Sequence, residues 1–155
     1  MFKNQPPIFE TGSKPEISLT MTRIREWQDH GFGLNASYFE RGEIEGGHEA
    51  IASGEADDFW RGGKQIVGKK LRMHVKFHSD LSRRQTDRGI IGGGQFYDEY
   101  VDIELNLEPQ HVREVVHELR LSAVRQLFVG GYAISPKIFR ATRFGLSEPR
   151  GGQPV

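Results

Sequence analysis

The sequence predicts an α+β domain: a mainly antiparallel sheet of about five or six strands, with one long helix of the C-terminal half packed on it. Three observations lead there. Several stretches alternate apolar and polar residues with a period of two, as strands with one buried face do. "EPQHVREVVHELRLSAVRQLF" instead repeats its apolar residues every three to four positions. A chain of 155 residues is also long enough for one domain to bury roughly 70% of its unfolded surface without a metal or a disulfide.

Taken in order, residues 1–15 are polar and Pro-containing and are expected to form a flexible tail, as is 147–155, "SEPRGGQPV"; the single domain is expected over 16–146. "EISLTMTRI" sets Ile17, Leu19 and Met21 against Ser18, Thr20 and Thr22, a strand. "GLNASYFE", with Leu34, Ala36 and Tyr38 against Asn35, Ser37 and Phe39, reads as its hairpin partner, linked through "REWQDHGFG". Residues 40–68 are acidic and interrupted, with at most a short helix over "HEAIASGEADDFW".

"LRMHVKFH" places Leu71, Met73, Val75 and Phe77 opposite Arg72, His74, Lys76 and His78. "YVDIELNL" places Val101, Ile103, Leu105 and Leu107 opposite Asp102, Glu104 and Asn106. Both read as antiparallel strands with one wet face, and a basic face beside an acidic one favours their pairing in register. The link between them, with its glycine-rich "GIIGGGQ", reads as a long loop.

The helix is expected over 109–128, with Val112, Val115, Val116, Leu119, Ala123 and Leu127 on its core side. Its reverse side carries His117, Leu121, Val124 and Phe128, so its second half is apolar on two faces. That second face is expected to contact either the C-terminal segment or a dimer or partner surface. "GGYAISPKIFRATRFG" reads as one or two final strands, Ile138, Arg140 and Thr142 alternating with Phe139, Ala141 and Arg143.

Composition removes whole classes of function. There is no cysteine, which rules out disulfide scaffolds, thiolate metal sites and cysteine nucleophiles. The start has no basic segment leading into an apolar run, and no apolar stretch reaches the roughly 18 residues of a membrane span. The expectation is a soluble cytoplasmic protein with no membrane contact. Net charge is +0, but the charge is laid out in blocks. Residues 1–60 carry 5 cations against 11 carboxylates, 61–97 carry 9 against 2, 98–118 carry 1 against 7, and 119–155 carry 6 against 1.

Catalytic and metal templates fail in turn. His74 and His78 lie on one face of a strand but about 13 Å apart, too far to share an ion; a metal-dependent hydrolase would need Asp102 or Glu104 beside one of them. Glu114 and His117 have the spacing of a di-iron helix, yet one helix supplies too few ligands. "HEAIA" and "HELRL" begin like a zinc motif but place Ala52 and Leu121 where the second histidine belongs. "GIIGGGQ" lacks the Gly-Lys-Ser/Thr of a phosphate loop, and there is no Gly-x-Ser-x-Gly elbow. No catalytic residue, metal or cofactor is therefore predicted.

Two charged surfaces remain. An acidic patch of Glu43, Glu45, Glu49, Glu55, Asp57 and Asp58 would suit a basic partner groove. The basic loop with Arg83, Arg84 and Arg88, and the strand in which Lys137, Arg140 and Arg143 interleave with Phe139 and Phe144, hold the cations and rings that nucleic acid needs. The expected function is a non-catalytic interaction protein, a small accessory, regulatory or inhibitor subunit that binds a protein partner. Direct nucleic-acid binding is the alternative, and homodimerisation is a further use of the helix face.

Overall fold

The structure, a computed structural model, describes residues 14–32, 48–68, 70–79, 89–121 and 126–147. They form β1 (Glu16–Met21), β2 (Ile24–Phe32), β3 (His48–Glu55), β4 (Asp58–Arg61), β5 (Lys64–Ile66), β6 (Arg72–His78), β7 (Gly92–Phe96), β8 (Tyr100–Asn106), α1 (Pro109–Arg120), β9 (Gln126–Ala133) and β10 (Ile138–Ser147). All ten strands join one sheet in the order β2, β3, β6, β8, β7, β10, β9, β1, β4, β5. Every pair is antiparallel except β6 with β8, which is parallel.

The alternating segments bury the residues their pattern marks. Ile17, Leu19 and Met21 on β1, Met73, Val75 and Phe77 on β6, and Val101, Ile103 and Leu105 on β8 are all fully buried and belong to one cluster. Rings meet between strands that are not neighbours: Phe59 stacks on Phe96 at 5.4 Å, and Phe77 packs on Phe144 at 5.7 Å. The sheet therefore curls into a half-barrel around its own apolar face. Inside the curl, α1 lies on β3 and β6 and sends Val112, Val115 and Leu119 into the core. Each large side chain removed from water there contributes about 1.5–3 kcal/mol.

Several expectations are corrected, and with ten strands to one short helix among the described residues the fold is mainly β rather than α+β. The sheet has ten strands, not five or six, because segments expected to be loop or helix are strands. "REWQDHGF" is most of β2 rather than a hairpin link; two bulges, at Ile24/Glu26 and Asp29/Gly31, break its period of two. The expected strand "GLNASYFE" lies outside the described residues.

"HEAIASGEADDFW" is not a helix but β3 and most of β4. The inward positions of β3 are Ala50, Ala52 and Gly54, too small to show as hydrophobic alternation. Gly54 must be small: a Cβ there would stand 2.5 Å from Met21 Sδ on β1.

"GGGQF" is β7, an interior strand of the sheet, where a loop was expected. The long helix is also corrected, since α1 ends at Arg120 after 12 residues and β9 begins at Gln126. The two apolar faces expected on one helix come from a change of period: Leu127 and Val129 are buried on β9 with Phe128 on its other side. Pro109 occupies the first helical turn, where its missing N–H costs nothing, and His117 and Arg120 sit at the negative end of the helix dipole.

Candidate functional site

With α1 and the core occupying the inner face, the outer face of the sheet carries the polar halves of β6 and β8. Register arranges it in rungs. Lys76 on β6 lies opposite Glu104 on β8, Glu104 opposite Gly93 on β7, and Gly93 opposite Arg140 on β10. The next rung runs His74, Asp102, Gln95, Ile138. The expected match of a basic strand to an acidic one is present, although the strands run parallel.

The contacts follow the rungs. Lys76 Nζ lies 3.0 Å from Glu49 Oε2 and 3.6 Å from Glu104 Oε2. His74 Nδ1 is 3.2 Å from Asp102 Oδ1, and His78 Nε2 is 3.6 Å from Glu104 Oε2. The hydrogen bond to Glu49 raises the Lys76 ammonium above its ordinary pKa range, against a smaller opposing effect of burial. The side chains of Asp102 and Glu104 remain 53% and 48% exposed, so these pairs leave both carboxylates open to a further partner.

Between β8 and β10 the face sinks into a trough of about 750 Å³. Its floor is the backbone of Gly92, Gly93 and Gly94. One bank holds Glu49, Asp102 and Glu104 with Lys76 among them; the other holds Ile138 and Arg140. Arg140 is exposed and has no ion-pair partner among the described residues. Tyr97 also lines it, stacked on Tyr100 at 4.6 Å, and a second hollow of about 530 Å³ shares His74 and Asp102 with it and reaches Tyr100. Both hollows are open to solvent.

The β9–β10 pairing shapes the basic strand. Gly130 pairs with Arg143 while Gly131 pairs with Ala141, so Thr142 is the extra residue of a bulge. That insertion brings Arg140 and Arg143, three apart, onto the same outer face and turns both Phe139 and Phe144 inward. Phe139 is fully buried, 5.5 Å from the Phe96 ring. Arg143 pairs with Glu16 at 2.9 Å and lies 5.5 Å over the Phe128 ring. The cations and rings expected to act together are thus on opposite sides of the sheet, and Lys137 is exposed in the β9–β10 turn.

The acidic patch is distributed as well. Glu49 belongs to the trough, and Glu55 ends β3. Asp57 accepts hydrogen bonds from the Thr22 hydroxyl and backbone N–H, and Asp58 Oδ1 accepts from Trp60 Nε1 at 2.7 Å and Gln65 Nε2 at 3.1 Å. Glu43, Glu45, Arg83, Arg84, Arg88 and Val124 lie outside the described residues. On the helix side, His117 and Leu121 are exposed, whereas Phe128 sits on β9 beneath Arg143.

Sequence reasoning missed Gly93, Gln95, Tyr97 and Tyr100. Their signal was "GGGQFYDEY", three glycines running straight into residues of high strand preference and a two-tyrosine turn. Among the described residues, no three of His, Cys, Asp and Glu converge to hold a metal ion, and no helix is long and apolar enough to cross a membrane.

Fold and site together define a curled, mixed β-sheet domain with an open, charge-divided trough on its outer face. Compared with known proteins, the chain matches no family model, no curated protein and no solved structure.

Proposed function

We propose that this chain is a non-catalytic interaction protein, an accessory or regulatory subunit that docks a protein partner on the outer face of its sheet. The observation that carries this reading is the trough between β8 and β10, open to solvent and flanked by carboxylates on one side and by Arg140 on the other. Sites for small molecules are mostly apolar and enclose most of the ligand's surface. An open channel with charged side chains on both banks instead suits a ligand that continues beyond it, as a segment of another protein does. The carboxylates favour protein over nucleic acid, since Asp102 and Glu104 would repel a phosphate chain lying beside them.

A photo-crosslinking residue placed at Gln95, on the trough floor, or at Leu121, on the exposed end of α1, tests the reading in extracts of the source cells. The expected result is a protein adduct from position 95 that is lost on Arg140→Glu, with none from position 121. Adducts only from position 121 would move the site to the helix. Micromolar, steeply salt-dependent binding of labelled oligonucleotides would replace the reading with nucleic-acid recognition.

A further inference from the structure

We infer that the trough recognises an extended peptide segment whose side chains alternate between basic and acidic; this rests on reading the outer face as a protein-binding surface. Gly93 has no side chain, and on its rung the nearest outward side chains are Glu104 to one side and Arg140 to the other. Two strand spacings separate those rows, about 10 Å, enough for one extended chain to lie between them along β7.

An extended chain points successive side chains to opposite sides, and residues i and i+2 are about 6.6 Å apart. Asp102 and Glu104 are themselves i and i+2 on a strand, so their spacing equals that of two like-facing ligand residues. Basic side chains at i and i+2 therefore meet Asp102 and Glu104, while the residue between them turns toward Arg140. An acidic residue there gives Arg140 the ion partner that the described residues do not supply. Lys76 does not compete for that role, because it lies on β6, beyond the Asp102–Glu104 row, between Glu49 and Glu104. The face thus selects an order as well as a charge, since basic, acidic and basic residues in succession satisfy both banks.

Fluorescence anisotropy with labelled, end-blocked octapeptides at low salt separates these requirements. Four probes suffice: alternating Lys-Glu, a block of four Lys followed by four Glu, all Lys, and all Glu. The alternating peptide is expected to bind about tenfold more tightly than the block peptide of identical composition, a difference expected of a few well-placed charge pairs. Gln95→Trp, which fills the trough from an exposed floor position, should abolish binding with an unchanged circular dichroism spectrum. Arg140→Glu makes both banks acidic and should shift the preference to all Lys. Equal affinity for the alternating and block peptides, or binding that survives Gln95→Trp, overturns the inference. If a protein nonetheless crosslinks at position 95 in an Arg140-dependent way, the inference falls while the reading of the face as protein-binding stands.

Discussion

At Gly94 a single hydrogen in place of a side chain joins the core to the trough. A Cβ built there would stand 2.6 Å from Phe139 Cζ, inside the ring of a fully buried residue. On the opposite side of the same strand, a Cβ on Gly93 would stand 2.9 Å from the Phe139 carbonyl oxygen. Packing thus keeps side chains off Gly93 on the outer side and Gly94 on the inner side, and the trough above Gly93 is the outward consequence. Gly94→Ala is expected to cost about 1–3 kcal/mol, the usual penalty of overpacking. Gly145→Ala, where nothing lies within 4 Å of the added methyl, should stay within about 0.5 kcal/mol of the parent. Urea denaturation of the two variants checks the pair, and equal costs would refute the packing argument. None of this is visible in "GGG", because glycine signals a loop and a crowded strand equally well.

At the scale of elements, the legible ones bury large side chains at a regular interval. β1, β6, β8 and the first half of β10 turn inward the residues that alternation marks, and α1 buries Val112, Val115, Val116 and Leu119 as its period requires. The illegible ones lack that contrast: β3 faces the core with alanines and a glycine, β2 is interrupted by bulges, and β9 follows the helix closely enough to look like its continuation. A test of the boundary lies in two leucines. Leu119 is 5% exposed and Leu121 is 52% exposed, so Leu119→Ala should cost about 2–4 kcal/mol and Leu121→Ala less than about 0.5 kcal/mol. Denaturant midpoints with unchanged slopes measure both. A comparable loss at Leu121 would mean that its side chain is covered.

Over the whole molecule, sheet neighbours are remote in sequence. β1 pairs with β9, placing Met21 opposite Leu127, and the parallel β6–β8 pair requires a crossover that itself contributes β7. The loop-closure entropy of such pairings is lost before their contacts form, which slows folding. Refolding followed by the fluorescence of Trp27 and Trp60 is expected in milliseconds to seconds. A full-amplitude phase in microseconds would contradict this topology. The same remoteness limits what the sequence says of the site. Asp102 and Glu104 stand out on an acidic strand, and Arg140 on a basic one, but their position on facing banks depends on β7 being inserted between them.

By itself the sequence determined which side of β1, β6, β8 and α1 faces the core, and that the wet sides of β6 and β8 are complementary in charge. Both properties are written in the spacing of large apolar and charged side chains along a single element. Only the tertiary structure decided the ten-stranded curl, the parallel direction of β6 and β8, the glycine strand, and the bulge that brings Arg140 and Arg143 to one face. Those features depend on what a residue meets from strands far away in the chain. A methyl that would strike Phe139 or Met21, or one extra residue in a ladder, leaves no period in the sequence that bears it.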